Sequence, residues 1–228
     1  MSNVNYSDLT NCDLSGSIDF ANANLVSAIL RGVTIDYVTD LSNAKLDGVI
    51  SGDIIYVPNS ISADEVGPKL PLHWKIINGY LVGPGANLVN ANLANQNLSK
   101  MRLFTANFTG ANLQNTKFIS TALSKCNFSG ADVSGAVFSN ANLENTIFTC
   151  SIFSETTTFR DYTDNTDPNN PIVYNKPAIL NGVISGNILT SSYDIFAYLS
   201  DVGKLPVNWS IVNGYLVGPG ANLINAVL

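Results

Sequence analysis

A large apolar residue recurs at every fifth position from residue 88 to residue 153. Two residues before it stands a mostly small residue, and the residue between the two is usually Asn or Asp, as in Ala106-Asn107-Phe108. We call the large residues the centres of five-residue units: Leu88, Leu93, Leu98, Leu103, Phe108, Leu113, Phe118, Leu123, Phe128, Val133, Phe138, Leu143, Phe148 and Phe153. This period restricts the backbone to very few conformations.

Neither an α-helix nor a straight strand can bury both the large residues and the small residues that precede them. The spacings between these residues alternate between two and three along the chain. In an α-helix, residues two apart point to nearly opposite sides. In a strand, residues two apart share a face, but residues three apart do not. The chain must therefore bend after each centre, so that every unit forms a short extended side followed by a corner.

Residues twenty apart match one another better than residues fifteen apart. The letters NFTGAN from Asn107 return as NFSGAD from Asn127, and Leu103, Leu123 and Leu143 are all leucine. Grouping by fifteen mixes Leu and Phe in every column. The pattern predicts four sides and twenty residues per coil, with coils roughly 4.8 Å apart and ladders of identical Asn side chains between them.

Two stretches carry a family resemblance: GANLVNANLANQNL, which starts at Gly85, and TANFTGANLQNTKF, which starts at Thr105. They resemble the pentapeptide-repeat family, whose motif is written A(D/N)LXX. The resemblance is tight over residues 86–153 and looser in the N-terminal portion of the chain.

The N-terminal spacing is interrupted twice by a shift of one residue. The first shift lies between the centres Leu14 and Phe20, and the second lies between Ile35 and Leu41. We interpret each shift as a bulge at a corner of the coil, and no function is assigned to either.

The resemblance implies an all-β chain that forms a right-handed quadrilateral β-helix, a solenoid with irregular loop excursions. We expect one repeat domain over residues 1–228. Its regular coils are expected at 2–51 and 86–153, and its irregular segments at 52–85 and 154–217. The handedness follows from the family alone.

A longer duplication overlies the short period. LDGVISGDII from Leu46 returns as LNGVISGNIL from Leu180, and KLPLHWKIINGYLVGPGANL returns as KLPVNWSIVNGYLVGPGANL. Residues 180–228 are therefore expected to be a second copy of the unit at 46–93.

Both copies carry the motif W-x-x-x-N-G-Y-L-V-G-P-G. We interpret its Trp and Tyr as packing the chain back onto the stack, with Gly-Pro-Gly setting a fixed turn. The alternative is an aromatic ligand platform formed by Trp74, Tyr80, Trp209 and Tyr215. The sequence assigns no role to the loops at 53–68, 155–178 and 187–203.

Residues that carry common enzyme chemistry are scarce. His73 is the only histidine, so any Ser-His-Asp or Cys-His mechanism would have to run through it. We interpret it as a polar loop residue. Cys12, Cys126 and Cys150 are widely spaced and odd in number, which argues against a disulfide framework or a zinc site. We therefore predict no enzyme activity, no cofactor and no metal site.

Charge and hydropathy limit the partners. The net charge of −6 argues against a nucleic-acid binder. The apolar runs are too short for a membrane span, and the opening MSNVNYSDLT has no features of a secretory signal. We therefore expect no nucleic acid, no membrane and a cytoplasmic location.

Residues 86–153 carry four basic residues against two acids, Asp132 and Glu144. Folding by twenty places the four basic residues on two adjacent sides of the coil. We interpret them as a solvated face whose charges favour solubility, and the alternative is a surface that contacts an acidic partner. The four are Lys100, Arg102, Lys117 and Lys125.

The sequence predicts a non-enzymatic structural or protein-interaction scaffold whose protein partner is unknown. Both ends of the chain fall within repeats, so we expect end-to-end association as a homo-oligomer, or a piece of a longer array. One alternative comes from the family, some of whose members mimic DNA and inhibit or protect a type II topoisomerase. That mechanism requires acidic columns, which residues 86–153 lack. Another is ice binding by a threonine column, for which the best outward column is mixed: Thr109, Ser129 and Thr149.

Overall fold

The computed structural model of the chain forms two compact units, Met1–Leu88 and Val89–Leu228. The described residues are 3–16, 18–58, 67–154, 156–160, 162–164, 172–174, 178–180, 183–186, 189–190, 205–224 and 226. None of these residues lies in a helix, so the predicted all-β class is confirmed. The expectation of one domain over residues 1–228 stays a prediction, and most of the loops at 155–178 and 187–203 lie outside the described residues.

The strands of both units are only two or three residues long. The N-terminal unit contains β1 (Ile29–Arg31), β2 (Thr34–Asp36), β3 (Ile50–Gly52), β4 (Ile55–Val57), β5 (Lys75–Ile77) and β6 (Tyr80–Val82). The C-terminal unit contains β7 (Ile152–Phe153), β8 (Tyr162–Asp164), β9 (Ile172–Tyr174), β10 (Leu189–Thr190), β11 (Ser210–Val212) and β12 (Tyr215–Val217). Parallel pairs are β1–β3, β2–β4 and β7–β10, and antiparallel pairs are β5–β6, β8–β9 and β11–β12.

Between residues 92 and 152 of the C-terminal unit the chain passes beside itself every twenty residues, whereas later bridges, such as Asn142 to Ile179, span longer segments. Parallel bridges join Asn92 to Asn112 and Asn107 to Asn127, so that four five-residue units separate the partners. Each unit contains one bridge residue and, after its centre, a two-residue turn. The predicted length of a coil is therefore confirmed.

The centres of these units fill the interior of the coil. Phe128 stacks on Phe108 and Phe148 with ring centroids 4.8 and 5.0 Å apart. It meets Phe118 and Phe138 edge to face at 5.8 and 6.0 Å. The predicted leucine column is fully buried and consists of Leu103, Leu123 and Leu143. Stacked and edge-to-face contacts are favoured geometries of aromatic pairs, so the interior is closely packed.

The corners of the coil require a left-handed backbone. The second residue after each centre, which we call the corner residue, has a positive φ throughout this run. Gly and Asn adopt this conformation most readily, and they fill eight of the thirteen corners. The corner residues are Asn90, Asn95, Lys100, Thr105, Gly110, Asn115, Ser120, Lys125, Gly130, Gly135, Asn140, Asn145 and Cys150.

The asparagine before a centre forms a side-chain hydrogen bond within its own unit. Asn107 Oδ1 accepts a hydrogen bond from the N–H of Thr109 at 3.1 Å, and the same contact recurs in later units. This local bond favours the turn. Contact between stacked asparagines, as predicted for the ladders, occurs at the corners, where Asn115 Nδ2 donates to Asn95 Oδ1 at 3.3 Å.

Polar side chains at the buried small positions join successive coils. Thr116 Oγ1 donates to the carbonyl oxygen of Leu93 at 2.8 Å, and Cys126 Sγ donates to that of Leu103 at 2.9 Å. Burial raises the pKa of the Cys126 thiol to about 12, so the thiol keeps its proton. The sequence pattern indicated only that these positions are small, whereas the bonds satisfy polar groups inside the coil.

Coils of the N-terminal unit contain twenty-one residues at first, as in the bridge between Asp8 and Ile29. The extra residue in each coil is the one-residue shift seen in the sequence. Later in this unit the chain leaves the coil after Ile50 and returns beside it at Asn87, to which Ile50 is bridged. The shifts are therefore insertions that the stack accommodates.

The second shift contains a buried hydrogen-bond network around Asp36. Asp36 Oδ2 accepts the N–H of Gly16 at 2.8 Å, and Oδ1 accepts the N–H groups of Val38 and Thr39 at 3.2 and 3.0 Å. The buried hydroxyl of Thr39 lies 3.1 Å from the carbonyl oxygen of Leu14. The hydrogen bond from Gly16 is the main cause that holds the pKa of the Asp36 carboxyl below its usual value.

This network makes stability depend on pH. Because the folded-state pKa of Asp36 is lowered, its stabilisation is present above the unfolded-state pKa of about 3.9 and is lost as the pH falls through the folded-state pKa. We expect Asp36→Asn to unfold at lower urea concentration than the parent at neutral pH, and this gap to be smaller at an acid pH below the folded-state pKa of Asp36. Urea unfolding followed by circular dichroism at both pH values measures the gap, and an equal gap at both would contradict this account.

Candidate interaction site

The aromatic residues of the first duplicated motif pack on glycines. Trp74 covers Gly83 so closely that a methyl group on Gly83 would collide with the indole ring. Tyr80 covers Gly52, where an added Cβ would lie 3.1 Å from Tyr80 Cε1. These contacts favour the interpretation that the hairpin β5–β6 is packed onto the coil.

The second copy repeats this arrangement. Trp209 covers Gly218, and Tyr215 covers Gly186, where an added Cβ would lie 2.9 Å from Tyr215 Cε1. The four aromatic rings are therefore engaged with backbone, as expected for packing residues rather than for an open ligand platform.

A serine anchors each hairpin. Ser51 Oγ accepts the N–H of Leu81 at 2.9 Å, and Ser185 Oγ accepts the N–H of Leu216 at 2.8 Å. The duplicated letters ISG thus supply both a hydrogen-bond acceptor for the returning strand and a glycine for the tyrosine ring.

A surface groove of about 380 Å³ lies in the N-terminal unit. Its lining residues are Tyr56, Gly67, Pro68, Leu70, Trp74, Lys75 and Ile76. Lys75 is the only charged side chain among them, so the groove offers no acid–base pair of carboxylates. His73 lies nearby in the sequence at a turn with φ 74°, where the second copy has Asn208 with φ 66°, and this geometry fits a polar turn residue.

The described part of the chain holds no group of three His, Cys, Asp or Glu side chains positioned to share a metal ion. Cys12, Cys126 and Cys150 form no disulfide. A helix of the length and apolar character needed to cross a membrane is not found among the described residues.

Three of the four predicted basic residues border one face of the C-terminal unit. We define the Leu103 face by the outward residues of three stacked units: Arg102, Phe104, Ala122, Ser124, Asn142 and Glu144. Arg102 is exposed on this face. Lys100 is the corner residue where the chain enters the face, and Lys125 is the corner residue where the next coil leaves it.

Lys117, the fourth predicted residue, lies on the neighbouring side, in the unit centred at Phe118. The outward residues Ile119, Val137 and Ser139 of that side are buried, with exposed fractions of 1%, 6% and 0%. That side is therefore covered at its later coils, where Lys117 is half-buried and does not join the exposed basic residues, whereas Asn97 of the first coil is exposed.

Phe104 is the site residue that the sequence analysis missed. It is 42% exposed and lies two residues after Arg102 on the same strand-like side, so that their Cα atoms are about 7 Å apart. Ile119, at the corresponding position of a unit on the neighbouring side, is covered, with 1% of its surface exposed. An aromatic residue at an outward position, where other units carry Ser, Thr, Gln or Glu, was the available signal.

Within residues 88–150, strained corners cluster around this face, and in the N-terminal unit Tyr6 and Ser27 also occupy left-handed corners. Of the five corners occupied by neither Gly nor Asn, four border the face in its first two coils: Lys100, Thr105, Ser120 and Lys125. The fifth is Cys150. A left-handed backbone costs a residue with a side chain roughly 1–2 kcal/mol, and strained residues concentrate at functional sites.

The strain predicts that Thr105→Asn stabilises the protein. Thr105 is β-branched and has φ 60°, so replacement by Asn is expected to raise the free energy of unfolding by about 1 kcal/mol. Gly110→Ala is the opposite control, because the added Cβ would collide with the Asn90 side chain at the same kind of corner. Urea denaturation measures both variants, and a destabilised Thr105→Asn would contradict the strain argument.

Glu144 is the one acid on this face, one coil from Lys125, whose N–H donates to the Glu144 carbonyl oxygen at 2.8 Å. Lys100, Arg102 and Lys125 form no ion pair within the described ranges, where the salt bridge present joins Lys69 to Asp40 at 3.0 Å in the N-terminal unit. We call the following residues the basic patch: Lys100, Arg102, Phe104 and Lys125. The patch combines exposed positive charge with one exposed aromatic ring, a composition enriched in binding interfaces.

Known structures were compared with the chain. HetL, a pentapeptide repeat protein involved in heterocyst differentiation regulation from the cyanobacterium Nostoc sp. strain PCC 7120, is 21% identical over 78% of this chain and 72% of its own, with a TM-score of 0.32. A pentapeptide repeat protein from the Arabidopsis thaliana thylakoid lumen is 25% identical over 53% and 75%, with a TM-score of 0.27. QnrB1, a plasmid-mediated fluoroquinolone resistance protein, is 17% identical over 88% and 84%, with a TM-score of 0.31.

No curated protein matches the chain. The family described as Pentapeptide repeats matches in eight copies, over residues 2–38, 86–124 and 126–157. These segments contain the twenty-one-residue and twenty-residue coils described above. Through these repeats, the chain belongs to the pentapeptide-repeat family.

Proposed function

We propose that this protein is a non-enzymatic interaction scaffold whose coils wind as a right-handed, four-sided β-helix. The family membership supports the helical architecture, and the twenty-residue return with four corners per coil fits it. The closely packed apolar interior leaves the outward faces as the surfaces available for binding.

The observation that carries the proposal is the basic patch. It places an exposed aromatic ring beside an exposed guanidinium group, with corners around them that keep strained residues. Aromatic and Arg side chains dominate the binding energy of protein interfaces. The Leu103 face is therefore proposed as the surface that meets a protein partner.

Photo-crosslinking tests this function. A photoreactive phenylalanine analogue replaces Phe104, or, as the control, the exposed Gln114, which lies two five-residue units further along the coil. In extracts of the source cells, we expect the analogue at position 104 to form one discrete crosslinked adduct. This adduct should disappear when the Arg102→Glu substitution is introduced as well. Equal adducts from both positions, or no adduct from position 104, would overturn the proposal.

The topoisomerase alternative remains a measurable outcome. The two acids of residues 86–153, Asp132 and Glu144, do not make an acidic column, since Asp132 stacks between Asn112 and Ile152. Inhibition of DNA supercoiling by gyrase would overturn the scaffold proposal in favour of DNA mimicry. End-to-end association stays a prediction, which light scattering over a range of protein concentrations tests.

A further inference from the structure

We infer that the partner of the basic patch is an acidic protein segment that carries an aromatic or large aliphatic side chain. This inference rests on the proposed function and adds the chemistry of the partner. It follows from the side chains of the patch, their arrangement and their contrast with the rest of the molecule.

The arrangement places three cations around one ring. Arg102 and Phe104 flank the buried Leu103 and are exposed on the same side of the coil, and the exposed Lys100 and Lys125 occupy two of its corners. Neighbouring coils are about 4.8 Å apart, so an extended segment of a few residues is long enough to reach all four side chains.

The chemistry favours carboxylates and an apolar anchor. A guanidinium group binds a carboxylate through two parallel hydrogen bonds, and the two lysines add positive charge at either end. Phe104 supplies an apolar surface that a second aromatic or aliphatic side chain can cover. An acidic segment with one apolar residue would therefore contact all four side chains of the basic patch.

The charge of the rest of the protein adds specificity. The chain has a net charge of −6, and the exposed Asp8, Asp13 and Asp19 of the N-terminal unit repel acidic partners. An acidic segment is therefore attracted at the patch and repelled by the acidic surface, which favours a single site. A long polyanion such as duplex DNA would meet the same repulsion without enough cations to release its counterions.

The corners supply an independent reason to place function here. Ser120 and Lys125 stack above Asn140 and Asn145 of the next coil, which are residues that suit a left-handed corner. Asn would also fit at Lys100 and Lys125. The two lysines therefore occupy positions where folding alone favours Asn or Gly, as expected when the side chain is needed for binding.

The corners also give a test that separates binding from folding. Lys100→Asn/Lys125→Asn removes two charges and relaxes two strained corners, so we expect an unchanged or higher melting temperature together with weaker binding. The probe is a fluorescent ten-residue peptide rich in Glu with a central Phe. Fluorescence anisotropy measures its affinity for the full chain at low and at moderate salt.

We expect the affinity of the parent to fall at least tenfold between low and moderate salt, as for charge-driven binding. Arg102→Gln and Phe104→Ser should each weaken binding about tenfold, and the double lysine variant should weaken it several-fold. The matched control Lys45→Gln removes one exposed charge from the N-terminal unit and should leave the affinity unchanged. A peptide with Gln in place of Glu should not bind.

Three results would overturn the inference. The first is a loss of peptide affinity in Lys45→Gln equal to that in the patch variants. The second is peptide binding that none of the patch variants weakens. The third is that duplex DNA binds more tightly than the peptide and loses affinity in the same variants. If position 104 still crosslinks a protein while the acidic peptide fails to bind, the proposed function stands and the partner chemistry is wrong. If both experiments fail, both proposals are wrong.

Discussion

Phe128→Ala is expected to lower the free energy of unfolding by about 4 kcal/mol. Phe128 has no exposed surface and contacts four other phenylalanines, two by stacking and two edge to face. Backbone hydrogen bonds between coils hold these neighbours, as in the 2.7 Å bond from the N–H of Phe128 to the carbonyl oxygen of Ile147. The interior therefore cannot collapse to fill the cavity, and the full cavity cost remains.

Urea unfolding measures this effect, and Phe104→Ala is its matched control. The control deletes the same atoms from an exposed position, so we expect a change of about 0.5 kcal/mol or less. Similar losses in the two variants would mean that the phenylalanine column does not form the core.

Gly83→Ala is expected to cost about 2 kcal/mol, a typical value for an overpacked site. The added methyl group would occupy space that the indole of Trp74 fills. Either the ring leaves the coil, or the turn before Ala86, whose N–H donates to the carbonyl oxygen of Gly83 at 3.2 Å, must shift.

A double-mutant cycle tests the cause of this loss. In a Trp74→Ala background the methyl group has room, so the double variant should match Trp74→Ala within about 0.5 kcal/mol. Gly218→Ala, opposite Trp209, should behave as Gly83→Ala does. Additive losses in the cycle would show that the glycine is needed for another reason.

The interior of the coils could be predicted because each unit repeats the environment of the unit twenty residues away. The columns of Leu103 and Phe108 followed from the five-residue period and from matching side chains at a distance of twenty. In such a chain the regular bend after each unit also brings residues twenty apart into contact. The local pattern therefore predicts the long-range contacts.

The roles of polar residues were less accessible from the sequence. The pattern marked Thr116 and Cys126 as small, but their hydrogen bonds to carbonyl oxygens of the preceding coil depend on the distance between coils. Asp36 is buried because it accepts the N–H of Gly16, which the fold brings beside it. These contacts require the positions of both partners.

The candidate site was predicted in part. Three of four basic residues lie together, but Lys117 lies on a covered side, and Phe104 was missed. The sequence marks a position as outward whether or not another part of the protein covers it. Ile119 and Phe104 are both apolar residues directly after a centre, but their exposed fractions are 1% and 42%.

By itself, the sequence determined what faces inward, since the alternation of two and three residues allows only one buried set. Tertiary structure alone decided which outward faces meet solvent and which glycines receive an aromatic ring. The physical reason is that interior packing repeats with the chain, whereas coverage of a face depends on segments that follow no period.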